Sequence, residues 1–97
     1  MAAQYDLYRL NSGQYIVVLQ SDLLDDLHTR VVAPLMPATG RGLGTLTPTF
    51  DLPEGAFRLM PQLTATLHRS ELDRRVGSLA LYRDEITRAV DALMSGI

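Results

Sequence analysis

The chain has 97 residues, 46% apolar and 21% charged, with a mean hydropathy of +0.04. That is the composition of one globular domain over 1–97, which excludes a disordered chain and, without a long uncharged apolar run, a membrane span. Cysteine is absent, which removes disulfides, thiolate metal sites and cysteine nucleophiles, and the net charge of −2 withholds the basic field that non-specific nucleic-acid binding needs. All nine basic residues are arginine, and tryptophan is missing altogether. Met1-Ala2-Ala3-Gln4 leads into a tyrosine-rich run with no basic or apolar leader segment, so a cytoplasmic protein is expected.

Two β-prone runs, Tyr5 to Leu10 and Gln14 to Gln20, flank Asn11-Ser12-Gly13 and predict a hairpin. Tyr15-Ile16-Val17-Val18-Leu19 is continuously apolar, as a central strand covered on both faces would be. Ser21 to His28 carries three aspartates around Leu23-Leu24 and reads as a loop with at most one helical turn. Thr29 to Ala33 is a third strand, with Pro34 and Pro37 expected to limit pairing at its end. Gly40, Gly42 and Gly44 then predict a mobile connection.

Thr45 to Leu52 and Ala56 to Leu67 read as a strand pair joined at Pro53-Glu54-Gly55, with a bend at Pro61. His68 to Arg75 is a polar connection or single turn, for which Ser70 and Asp73 are candidate caps, and Val76 to Leu81 is a last short strand. In the C-terminal segment Ile86, Ala89, Val90, Leu93 and Met94 recur at helical spacing, with Asp84 and Glu85 at the favourable N-terminal end. Gly96 suits a left-handed cap, with Ile97 folding back in a Schellman-like contact. The expected architecture is mainly β, about five antiparallel strands followed by one helix, in a small α+β domain or partly closed barrel.

Catalytic chemistry finds little support in the residue pattern. His28 and His68 lack a second histidine at metal-binding spacing, and Asp25 and Asp26 beside His28 read as solvated loop charges, so no metal site is predicted. Gly40 to Gly44 lacks the following helix of a phosphate loop, Arg69, Arg74 and Arg75 are interleaved with acids, and the serines occupy no nucleophile motif. Binding is therefore the better general reading. Its candidate surfaces are Leu23-Leu24 in the acidic loop and the end from Met94 to Ile97, although periodicity alone favours both packing inward.

These same residues carry a resemblance. Gln20-Ser21-Asp22-Leu23-Leu24-Asp25, Arg30-Val31-Val32-Ala33-Pro34-Leu35 and the end from Glu85-Ile86 through Leu93-Met94 to Gly96-Ile97 resemble the CcdB toxin family, with 37–54 the weakest stretch. The resemblance implies a homodimer of small SH3-like antiparallel barrels with C-terminal helices, and no cofactor. It implies inhibition of DNA gyrase by insertion of the helix ends into its A subunit, with a CcdA-like antitoxin covering an overlapping surface. Carried over by position, that surface is Ser21, Leu23, Leu24, Asp91, Met94, Ser95, Gly96 and Ile97.

The chain departs from the pattern where the gyrase poison carries phenylalanine and tryptophan before Gly-Ile, since Met94 and Ser95 stand there. Losing an interface tryptophan commonly costs about 2–4 kcal/mol, roughly 30- to 1,000-fold in affinity. Two alternatives follow. A MazF-like endoribonuclease of the same barrel family would use a catalytic arginine and a loop hydroxyl, for which Arg9 and Ser12 are the candidates. A non-toxic relative would bind antitoxin alone.

Overall fold

A computed structural model describes residues 2–96, and among them are seven short strands and one α-helix. Strands β1 (Asp6–Arg9) and β2 (Tyr15–Val18) form the expected hairpin, with Leu7 opposite Val17 and Arg9 opposite Tyr15. Gly13 turns the chain at a φ of 91°, which a side chain would resist. All four residues of β2 are buried, because Tyr15 and Val17 point into one core and Ile16 and Val18 into another on the opposite face.

β3 spans Thr29–Pro37, longer than the prolines suggested. The reason is the direction in which Pro34 faces. The Val31 carbonyl takes N–H groups from Leu19 and Gln20 at 2.9 and 3.3 Å, a bulge that ends β2. By alternation Pro34 turns to the other edge, where its carbonyl accepts the Met60 N–H at 3.0 Å and no ladder donor is required of it.

On that other edge β3 changes partner midway. Leu35 to Pro37 pair with β5 (Gly55–Leu59), whereas Thr29 to Val32 pair with β6 (Ala65–His68). The single strand expected over 56–67 is therefore two, separated by a 3₁₀ turn at Pro61–Leu63. The strand expected over 45–52 is likewise shortened to β4 (Thr49–Leu52), because Gly44–Leu46 forms a 3₁₀ turn with Gly44 at positive φ. With β7 (Arg75–Ser78) on β1, the order is β4-β5-β3-β2-β1-β7, a curled antiparallel half-barrel with β6 also on β3.

Two connections differ from their expected form. In the turn after β6, His68 is the cap in place of Ser70: its Nδ1 accepts the Ser70 N–H at 3.1 Å while Glu71 accepts the His68 N–H at 2.9 Å. The glycine-rich segment is tied by Arg58, whose guanidinium donates to the Thr39 and Gly40 carbonyls. Gly42 lies so close that a Cβ would sit 2.8 Å from Arg58 Nε.

Helix α1 (Arg83–Ser95) closes one face of the sheet by burying Ile86 and Ala89. Tyr5 helps to dock it. This residue adopts the left-handed conformation, donates to Val18, accepts from Leu79, and brings its hydroxyl to 3.4 Å from Thr87 Oγ1. Gly96 caps the helix at a φ of 74°, as expected, with its N–H on the Ala92 carbonyl. The contact expected of Ile97 lies outside the described residues.

Arg30 is buried in β3, only 1% exposed. Its Nε donates to the Ala2 carbonyl at 3.2 Å, Nη1 to Leu27 and Thr29 at 2.6 and 2.9 Å, and Nη2 to Asp25 at 3.1 Å. Four main-chain acceptors thus stand in for the water a guanidinium would otherwise keep. Lysine preserves the charge but not the planar fork. Arg30→Lys is expected to lower stability by about 2–4 kcal/mol in urea unfolding.

Candidate functional site

The loop after β2 is shaped from within. Ser21 caps a 3₁₀ turn at Asp22–Leu24 by accepting the Leu23 N–H at 3.2 Å. Gln20 bridges this turn to β3, taking the Val31 N–H on Oε1 and donating through Nε2 to the Leu24 carbonyl at 3.0 Å. With both ends of the turn held and Arg30 gathering the carbonyls beyond it, Leu23 is directed outward and is 93% exposed.

The helix face divides along its length. Ile86 and Ala89 are buried, Val90 is half-buried, and Leu93 and Met94 reach 38% and 77% exposure. The expectation of one inward face thus holds for the first half of α1 only, because Leu93 and Met94 stay exposed. Beneath them an open groove of about 600 Å³ is lined mainly by apolar side chains. Ser21 and Leu24 from the loop, Val31 from β3, Thr66 from β6 and Leu93 and Met94 from α1 all contribute.

Of the residues singled out in the sequence, Ser21, Leu24 and Met94 therefore meet in one groove. Leu23 stands outside its lining, and Asp91 lines a smaller neighbouring cleft. Ser95 folds back on its own helix, donating to the Asp91 carbonyl at 2.6 Å, and Gly96 is the cap. Ile97 lies outside the described residues. Sequence reading missed the sheet wall, Val31 and Thr66, and the loop residue Leu27. The switch of β3 from β6 to β5 creates that wall, and no local pattern announces it. Among the described residues no cluster of three or more histidine, aspartate or glutamate side chains is placed to hold a metal ion, and no helix is long and apolar enough to cross a membrane.

The model of the CcdB protein family matches residues 4–96. The chain belongs to the CcdB family. Among solved structures it is similar to an endoribonuclease from a mycobacterial species, at 17% identity and a TM-score of 0.73, over 93% of this chain and 88% of that one. It is also similar to the Mycobacterium tuberculosis toxin MazF-mt6, at 22% identity and a TM-score of 0.71, over 89% and 90% of the two chains. At these identities the likeness is one of fold. No curated protein sequence matches.

At the far end of this CcdB-family barrel lies the arginine that an endoribonuclease reading would need. Arg9 Nη1 pairs with Glu54 Oε1 at 3.0 Å, and its guanidinium carbon lies 5.2 Å from the centre of the Tyr15 ring. Arg9 Nε reaches the Gly13 carbonyl at 3.4 Å, and Ser12 Oγ accepts the Gln14 N–H at 3.4 Å. Tyr15 OH donates to the same Glu54 oxygen at 2.7 Å, and its ring meets Phe57 edge-on at 5.1 Å. Arginine and tyrosine are thus both engaged by one carboxylate.

The hydrogen bond to Glu54, then burial and the Glu54 charge, push the Tyr15 phenol above its ordinary value, against the pull of Arg9 and Arg74. Tyr8 is also raised, first by burial and then by Asp6. A raised phenol stabilises the fold below the ordinary tyrosine value near pH 10, and that contribution is lost as pH rises through the folded-state value. In an alkaline titration followed by tyrosinate absorbance, Glu54→Ala is expected to move one late-ionising tyrosine down toward pH ~10 and leave the Tyr8 step in place.

Proposed function

We propose that this protein is the toxin of a type II toxin–antitoxin pair, that it acts by gripping the A subunit of DNA gyrase, and that a CcdA-like antitoxin neutralises it at an overlapping surface. The observation that carries this reading is the apolar groove where Ser21 and Leu24 meet Met94, with Leu23 93% exposed beside it. Leaving a leucine pair and a methionine in water forgoes about 1.5–3 kcal/mol for each side chain that could be buried, which a binding partner recovers. No proton transfer or nucleophile is required for such a role, so the protein is read as a binder and not as an enzyme. A homodimer belongs to the same proposal.

Two features weigh against the endoribonuclease reading. Arg9 is neutralised by Glu54, and the net charge of −2 opposes an RNA backbone. Ser95 favours a narrower function, because a serine folded onto its own helix offers no ring to a target.

Expression of the chain alone in bacteria tests these readings together. Growth arrest with trapped gyrase–DNA cleavage complexes and intact RNA is expected. RNA fragments that vanish with Arg9→Ala would overturn the reading in favour of the nuclease, and normal growth would favour a relative that binds antitoxin only. Leu23→Asp should abolish binding to gyrase A in a pull-down while leaving thermal stability unchanged, since the side chain is exposed. Ser95→Trp should tighten that binding by about tenfold or more, measured by calorimetry.

A further inference from the structure

The glycine-rich segment after β3 is a strap that buries almost nothing of its own. From Thr39 to Leu43 every residue is exposed except Gly42, which is half-buried. Polar ties hold it down: the Arg58 guanidinium on the Thr39 and Gly40 carbonyls at 3.0 and 3.2 Å, and the Leu43 N–H on Thr47 Oγ1 at 2.7 Å. Gly40 and Gly44 bracket it at φ of 65° and 60°, the left-handed region that glycine enters without strain. Few buried contacts and exposed hydrogen bonds mark a segment that opens locally.

Beneath the strap lies unused hydrogen-bonding capacity. Arg58 Nε is buried without a partner, which is so of no other side-chain atom among the described residues. Thr47 is 4% exposed, and its hydroxyl accepts from Leu43 while donating to no acceptor among the described residues. These two donors converge. A Cβ on Gly42 would stand 2.8 Å from Arg58 Nε and 3.2 Å from Thr47 Oγ1, so both lie at hydrogen-bond distance from one point that the closed strap covers with a bare α-carbon. Arg58 also has no counter-ion, since the ion pairs among the described residues are Arg9 with Glu54 and Arg75 with Asp6. A buried donor left unpaired is a cost that the closed strap carries.

Nε and Nη2 form the edge of a guanidinium that takes two oxygens of a carboxylate or phosphate side by side. In the closed strap that edge meets one carbonyl, from Gly40, and the methylene of Gly42. We infer that Arg58 and Thr47 form a binding site for a small oxyanion, and that the strap is its lid, hinged at Gly40 and Gly44. One oxygen of the anion takes the point shared by Arg58 Nε and the Thr47 hydroxyl, and a second takes Nη2 from the Gly40 carbonyl. Thr49 stands opposite Arg58 across the β4–β5 pair and shares its face, and with Gly44 it lines an open recess of about 440 Å³ that serves as the entrance. Charge around the site favours an anion. Arg41 on the lid, Arg58 and Arg88 of the recess stand against Glu85 of the recess and Asp51, exposed two residues beyond Thr49. The site shares no residue with the groove and does not depend on the partner-binding reading.

The test titrates the whole ¹⁵N-labelled protein with sodium phosphate, with sodium acetate and, at matched ionic strength, with sodium chloride. Phosphate or acetate is expected to shift the Arg58 Nε–H and the amides of Leu43 and Thr47. It should also speed tryptic cleavage after Arg41, because the bound anion holds the strap open. A response to phosphate alone assigns a phosphate ligand, a response to acetate alone assigns a carboxylate such as an acidic side chain, and a response to both assigns the two-oxygen edge they share. Gly42→Ala, whose Cβ the closed strap cannot admit, should tighten binding about threefold or more by removing the closed state as a competitor. Arg58→Lys keeps the charge but loses the fork and should weaken binding about tenfold. The inference is overturned if neither anion exceeds chloride, if the shifts lie away from the strap, if Arg58→Lys binds as well as the unaltered chain, or if Gly42→Ala binds no more tightly.

Discussion

Arg30 is a cation sealed into a small protein with carbonyl oxygens as its hydrogen-bond acceptors. Its four acceptors come from the N-terminal segment, from the loop after β2 and from the start of β3. The loop carries three aspartates, and its leucines, Leu23, Leu24 and Leu27, are exposed instead of packed into a core. The guanidinium supplies in hydrogen bonds what the loop lacks in core. It also fixes the direction of the loop, so that Leu24 turns to the groove and Leu23 to solvent. The exposed leucine is a consequence of a buried arginine a few residues away.

β3 is the second organising element. A strand nine residues long has room for two different partners on one edge, and it uses β6 for its first half and β5 for its second. Pro34 stands near the change, where a missing N–H is harmless because the sheet ladder is interrupted there anyway. The change of partner lets the sheet curl, and the first half of β3 with β6 faces the last two turns of α1 across an open groove. The helix is anchored by Ile86 and Ala89 and projects by way of Leu93 and Met94.

The two ends of the barrel have been given opposite electrostatic treatment. At the hairpin end Arg9, Glu54 and Tyr15 satisfy one another, and an arginine that might meet a phosphate is spent on a carboxylate. At the helix end the last turn of α1 has no basic residue, and among the described residues Asp22 and Asp91 form no ion pair. A fold shared with an endoribonuclease thus carries here a face whose arginine is neutralised. Fold alone does not choose between these uses, because the choice is made by a handful of side chains at each end.

Much of the architecture is legible in local sequence because its signals are local. Continuous apolar character marked β2 as central, Asn11-Ser12-Gly13 marked the hairpin, and helical spacing with a terminal glycine marked α1 and its cap. The acidic loop and the helix end were candidate surfaces that the family resemblance pointed to, while periodicity alone favoured inward packing. The errors have a common physical origin. Where proline or glycine punctuates a strand, sequence shows that the backbone is constrained but not which edge it faces, so β3 was expected to stop at its prolines and 56–67 to remain one strand. Sequence by itself determined which segments have an apolar face to bury. Only the tertiary structure decided which of those faces find a partner inside the chain, because that depends on strand pairing between residues more than thirty positions apart. Ile86 and Met94 carry the same periodic signal, yet one is 1% exposed and the other 77%.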